Sequence, residues 1–167
     1  MKNFIALTLF LVLSNLSYGE QPSNEFLQMQ KILGKWEGTL IRSAENDIPI
    51  TLEYKLISNG SAIVEHSNED GVEMMTTFVD DKGKLFATHY CGLGNQPRMS
   101  VSGKTKSSIS FTTNLEKSGL VAFEDQFVNT WNFGDMETGT ETFTYTYTVS
   151  NPDKTTDTNQ AVMRRVN

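Results

Sequence analysis

The side chains of this sequence that could do chemistry gather in residues 89–99, reading HYCGLGNQPRM: an imidazole, a phenol and a thiol, a glycine-rich reversal, then two amides and a guanidinium. Side chains two apart on a strand share a face. Leu85, Ala87, His89 and Cys91 therefore share one face, with Phe86, Thr88 and Tyr90 on the other. If the first set points inward, His89 and Cys91 line an interior near one rim. Asn95, Gln96 and Arg98 would add amide donors and a fixed cation beside it, suited to a carboxylate, phosphate or carbonyl head group. Glu73 and Met74, on a neighbouring segment, complete this candidate ligand-binding set with Tyr90, and Met74, Met75 and Met99 offer a pliable lining. The same residues also make a hydrogen-bonded corner, in which the amides satisfy loop backbone and Arg98 pairs with Glu73.

A second chemistry is a Cys91/His89-dependent enzyme. A thiolate nucleophile needs the imidazole within hydrogen-bond reach and a third group to orient it, and spacing alone supplies neither. A stable metal site wants three or four ligands, and His66 is the sole other imidazole, so no metal, cofactor or catalytic residue is assigned. His66 reads as a surface or rim residue. Glu69 with Asp70, and Asp80 with Asp81, lie in turn sequences, where Asp and Asn serve backbone hydrogen bonding.

Strands must position these groups. Turn clusters at 44–47, 58–60, 68–71, 80–83, 92–95 and 103–106 punctuate the chain every 8 to 14 residues or so. Between them apolar residues alternate with polar ones, as in Ile48, Ile50, Leu52, Tyr54 and Leu56, or Val72, Met74, Thr76 and Phe78. The pattern returns in Phe127, Asn129, Trp131 and Phe133, and Thr alternates with Phe143, Tyr145 and Tyr147. A last strand is expected over 160–166. One short helix, capped by Ser23 or Asn24 and stopped by Gly34, precedes the strands. With no helix long enough for a crossover, an all-β antiparallel meander of about ten strands follows, and closing into a barrel hides its edges.

Composition narrows the partners. The chain has 167 residues, with 14 Lys and Arg against 20 Asp and Glu, giving a formal charge of −6. No basic stripe offers itself to nucleic acid. Lys2, the apolar run 4–13, and small Ser17 and Gly19 before a cleavage point read as a secretory signal peptide over 1–19. Its loss with Lys2 takes the charge from −6 to −7. The run is too short to span a bilayer, so no stable membrane insertion is expected, and residues 20–167 form one exported domain, periplasmic or extracellular. About 150 residues bury enough surface to fold without cross-links, and the lone Cys91 forms none.

Residues 33–38, reading LGKWEG after a short helix, together with Arg164 and Arg165 in the last strand, resemble the calycin superfamily of lipocalins, fatty-acid-binding proteins and nitrobindins. The resemblance implies that a basic side chain of the last strand closes over Trp36, so Trp36 with Arg164 or Arg165 is a fold-closing set, held by cation–π attraction. A narrower resemblance, on Glu73, Met74, Gly83, Leu85 and the run 89–99, is to an exported bacterial family of calycin type. A nitrobindin carries a haem-ligating His near its C-terminus, and residues 160–167 have none.

The reading is thus an exported barrel that binds a small hydrophobic or amphipathic molecule in its interior, with the polar end near His89, Tyr90 and Arg98. The rivals are the Cys91 enzyme and a barrel filled by its own aromatics that acts through its outer surface.

Overall fold

The computed structural model describes residues 21–166; the expected signal peptide, 1–19, lies outside them. Ser23 starts the fold by accepting a hydrogen bond from the Phe26 N–H at 3.1 Å, which caps helix α1 (Asn24–Met29). A 3₁₀ turn (Gln30–Ile32) continues it, and Phe26, Met29 and Ile32 are fully buried. Ten strands follow: β1 (Gly34–Arg42), β2 (Ile48–Ile57), β3 (Ala62–Glu69), β4 (Val72–Asp81), β5 (Lys84–Tyr90), β6 (Arg98–Lys104), β7 (Ile109–Thr113), β8 (Phe127–Gly134), β9 (Thr142–Ser150) and β10 (Thr156–Val166). Each pairs antiparallel with the next, and β10 returns to β1, so the sheet closes and no strand edge is left free. The expected meander barrel with its N-terminal helix is the observed one. A four-residue helix, α2 (Leu115–Ser118), sits in the long β7–β8 connection, capped by Asn114; it was not expected, being too short to show a helical period.

The barrel is sealed at one end. Helix α1 plugs the end where β1 begins: the Ser23 N–H donates to Asp80 at 2.7 Å, Glu25 pairs with Lys104, and Lys31 Nζ donates to the Met136 carbonyl at 3.3 Å. Above the helix the interior is solid with rings. Trp36 meets Phe143 edge to face at 4.7 Å, Phe78 touches Phe111 and Phe133, and Phe133 stacks on Trp131 at 5.4 Å. Offset and edge contacts of this kind add to the burial of apolar area.

At the seam, Trp36 on β1 lies opposite Arg165 on β10. The Arg165 guanidinium carbon is 4.1 Å from the Trp36 ring centre, and its nitrogens donate to the carbonyls of Leu33 (2.9 Å) and Thr140 (3.2 Å). The Trp36 indole N–H donates to the Ile32 carbonyl at 2.7 Å, tying the strand to the helix that plugs it. Arg164, in the next register position opposite Glu37, is exposed. Gly34 has φ +116°, and a Cβ there would stand 2.8 Å from the Arg165 guanidinium, so only glycine lets this clasp close.

Candidate functional site

The other end is open. There the inward faces of the strands shift from rings packed on one another to a cup of about 400 Å³. Its mouth is built from the β1–β2, β3–β4 and β5–β6 turns, through Glu45, Asp70 and Leu93, and its wall from Ile48, Met74, Cys91, Val128, Tyr145, Tyr147 and Val149. His89 and Trp131, both buried, line it side by side, edge to face with centres 5.1 Å apart.

Period-two geometry explains His89. On β5 Leu85, Ala87 and His89 are buried, while Tyr90 is 44% exposed on the outside. Cys91 continues the inward face and lines the cup, half-buried. Burial, and to a smaller extent the Glu69 carboxylate, raise its thiol, away from a ready nucleophile. Met74, inward on β4, also lines the cup.

The other sequence candidates do not reach this space. Asn95 spends its side-chain N–H₂ on the Gln126 carbonyl at 2.7 Å, and its backbone carbonyl accepts from the Cys91 N–H at 3.1 Å, which pins the β5–β6 loop. Gln96, Arg98 and Glu73 are exposed. On β6 Met99 takes the inward position, so Arg98 faces out, toward Phe86, Thr88 and Lys117. β5 lies between β4 and β6, and no ion pair joins Glu73 to Arg98 among the described residues. The fixed cation expected beside the head group is therefore not at this cavity.

Groups that pattern reading passed over line or underlie it instead. On β3 the inward residues are Ile63, Glu65 and Ser67, while His66 is exposed. Glu65 is fully buried and accepts from the Thr76 hydroxyl at 3.0 Å; Thr76 Oγ1 is also 2.9 Å from His89 Nδ1, opposite it across the β4–β5 ladder. Burial raises the Glu65 carboxyl from 4.5 to about 7, against the lowering effect of the Tyr54 and Thr76 hydroxyls. Burial also drives the His89 imidazole from 6.5 down to about 4, so the ring is neutral at pH 7. Glu69 is not the solvated turn residue its neighbours suggested: it is half-buried at the cup wall and accepts from the Tyr147 hydroxyl at 2.9 Å, and burial raises its carboxyl too. Val128 replaces Phe127 in the wall because a bulge between Val128 and Thr130 shifts β8 by one residue and turns Val128 inward.

Charge at the mouth is mostly negative. Glu45, Glu69, Asp70 and Asp157 surround one guanidinium, Arg42, which pairs with Glu45 and donates to the Asn46 carbonyl at 2.6 Å. Among the described residues no three His, Cys, Asp or Glu side chains stand together as a metal site would need.

No family model and no curated protein matches the chain. Among solved structures, a protein of unknown function from the DUF3598 family of Nostoc punctiforme PCC 73102 is similar at a TM-score of 0.60 and 11% identity, over 88% of this chain and 51% of that one. The chain thus spans about half the length of that protein, and the likeness is one of fold. A redesigned β-barrel matches 83% of this chain and 94% of its own at TM-score 0.40 and 10% identity. EF1p2_mFAP2b, solved bound to DFHBI, matches 84% and 98% at TM-score 0.35 and 8% identity.

Proposed function

We propose that this protein is a carrier or receptor for a small, largely apolar molecule held in the open half of its barrel. One observation carries the reading: a barrel whose lower half is filled by its own rings keeps, above them, a cup of about 400 Å³ lined by the buried His89, Trp131 and Tyr145. Clefts of this size, mostly apolar with a few placed polar groups, are the usual form of small-molecule sites. A protein acting through its outer surface alone gains nothing from such a cup, since apolar walls facing water cost free energy. Cys91 catalysis is disfavoured on two counts: burial raises the thiol, and among the described residues no hydrogen bond joins it to His89, whose ring nitrogen Nδ1 is paired with Thr76. The acidic mouth favours a neutral guest over an anionic one, and no basic stripe suggests nucleic acid.

The sequence features 1–19 support export, and the Trp36–Arg165 clasp supports kinship with the calycin superfamily. Native mass spectrometry of the protein purified without organic solvent tests the binding role. A bound mass of a few hundred daltons, absent from a Val128→Trp variant whose added ring fills the cup, is expected. An apo mass for both, with no uptake from a panel of apolar metabolites, would leave the self-filled barrel as the better account.

A further inference from the structure

Two carboxylates of the cup lack a counter-charge. Glu69 follows Ile63, Glu65 and Ser67 on the inward face of β3, and Asp157 precedes Asn159, Ala161 and Met163 on that of β10, so the pleat turns both toward the interior at the open rim. Both line the cup and both are half-buried. Glu69 Oε2 accepts from the Tyr147 hydroxyl at 2.9 Å and Asp157 Oδ2 from the Asn151 side-chain amide at 2.8 Å. Among the described residues Glu69 Oε1 and Asp157 Oδ1 take no hydrogen bond, and neither is sealed from solvent. Arg42, the guanidinium at the mouth, is taken by Glu45 and the Asn46 carbonyl, and no Lys or Arg of the described residues pairs with Glu69 or Asp157. Drawing a carboxylate out of water without a partner is costly, and burial raises that of Glu69.

An independent group asks for the same kind of guest. His89, 4% exposed, also lines the cup. Thr76 gives its one hydroxyl proton to Glu65, so His89 Nδ1, 2.9 Å from the same oxygen, carries the ring proton and Nε2 keeps a lone pair. Nε2 has no partner among the described residues and, unlike the indole nitrogen of Trp131, is not sealed off. The three unpaired atoms are all acceptors; Asn159, also buried in the lining, offers donor and acceptor alike and does not choose between charges. An anionic guest would set charge against charge here, and a neutral one would leave both carboxylates uncompensated. Among the described residues no three His, Cys, Asp or Glu side chains converge as an inorganic cation would need, while Met74, Val128, Tyr145 and Val149 offer apolar wall to a carbon skeleton. We infer that the cup takes a protonated amine on an apolar body, its ammonium held at the rim by Glu69 and Asp157 and its body against that wall, with His89 Nε2 as a further acceptor. The inference rests on the reading of the cup as a binding site.

Calorimetric titration at pH 8 with 1-naphthylmethylamine, 1-naphthylmethanol and 1-naphthoate tests it, since the three share a ring system and differ in charge. The amine is expected to bind about tenfold tighter than the alcohol, and naphthoate weakest. Added salt should weaken the amine and leave the alcohol unmoved. Glu69→Gln, which keeps an acceptor for Tyr147, should bring the amine down to near the level of the alcohol, and Asp157→Asn should do so in part. Asp81→Asn, the same change of charge at an exposed position where β4 reaches the sealed end, should leave the amine preference intact. Equal binding of amine and alcohol, tightest binding of naphthoate, or an amine preference that survives Glu69→Gln and Asp157→Asn together overturns the amine assignment and leaves the cup a binding site. Failure of all three probes to bind overturns both readings. Should Glu69→Gln not fold, the three-probe comparison and its salt dependence in the wild type still decide.

Discussion

Arg165 lies over the face of Trp36, 4.1 Å from the ring centre, while two of its nitrogens reach carbonyls on either side of the seam. One side chain thereby joins the last strand to the first, to the residue before β1 and to the β8–β9 loop. Cation–π attraction and charge-assisted hydrogen bonds act together here, on a partly buried guanidinium.

Arg165→Ala should therefore destabilise the barrel by about 2 to 4 kcal/mol. Arg165→Lys keeps the charge but not the planar fork, and should recover less than half of the loss. Arg164→Ala, at an exposed position, should fall within about 0.5 kcal/mol of wild type. Urea denaturation of the three variants measures this.

Gly34→Ala probes the same clasp from the backbone. The new methyl meets the guanidinium and the positive φ strains any side chain, so a loss of about 1 to 3 kcal/mol is expected. In an Arg165→Ala background the steric part should disappear, giving a smaller second loss in a double-mutant cycle.

Glu65 and His89 oppose each other in pH dependence. Native Glu65 keeps its proton between 4.5 and about 7 where the unfolded chain has released it, so its contribution is full below 4.5 and is lost as pH rises through 7. Native His89 stays neutral between about 4 and 6.5 where the unfolded chain binds a proton, so its contribution is full above 6.5 and is lost as pH falls through 4. Each is worth up to about 3 kcal/mol, and between pH 4.5 and 6.5 they nearly cancel. Unfolding free energy should be level there in the wild type. It should fall with rising pH in His89→Gln and rise in Glu65→Gln; parallel slopes in both variants would refute the opposition.

Cys91 should react slowly with a disulfide reagent at pH 8 in the folded protein and at the ordinary rate once unfolded in urea, because burial holds the thiol protonated. Rapid native labelling would return the thiol to consideration as a nucleophile.

The barrel was legible because period-two alternation is strong where one face is buried: Phe143, Tyr145 and Tyr147 against intervening Thr, or Leu85, Ala87 and His89, needed no tertiary information. Much of the cup was not. Glu65 is a charged residue inside, and on β3 both Ile63 and Val64 are apolar and buried, so the pattern did not say which parity faced in. The β8 bulge moved Val128 inward without a local signal. Arg98 and Gln96 drew attention by their chemistry, yet Met99 beside them claims the interior, and a polar residue next to an inward apolar one faces water. Gly34 was read as a helix stop; its φ and its closeness to Arg165 show a second reason for it.

The two tryptophans allow the most direct test, since Trp36 lies at the sealed end and Trp131 lines the cup. Fluorine NMR of protein carrying 5-fluorotryptophan gives one resonance for each, assigned through Trp131→Phe. Titration with 1-naphthol should shift the Trp131 resonance to saturation and leave that of Trp36 in place. Two unmoved resonances across naphthol and the apolar panel, or equal shifts at both ends, would contradict a cup that receives its guest from the open end.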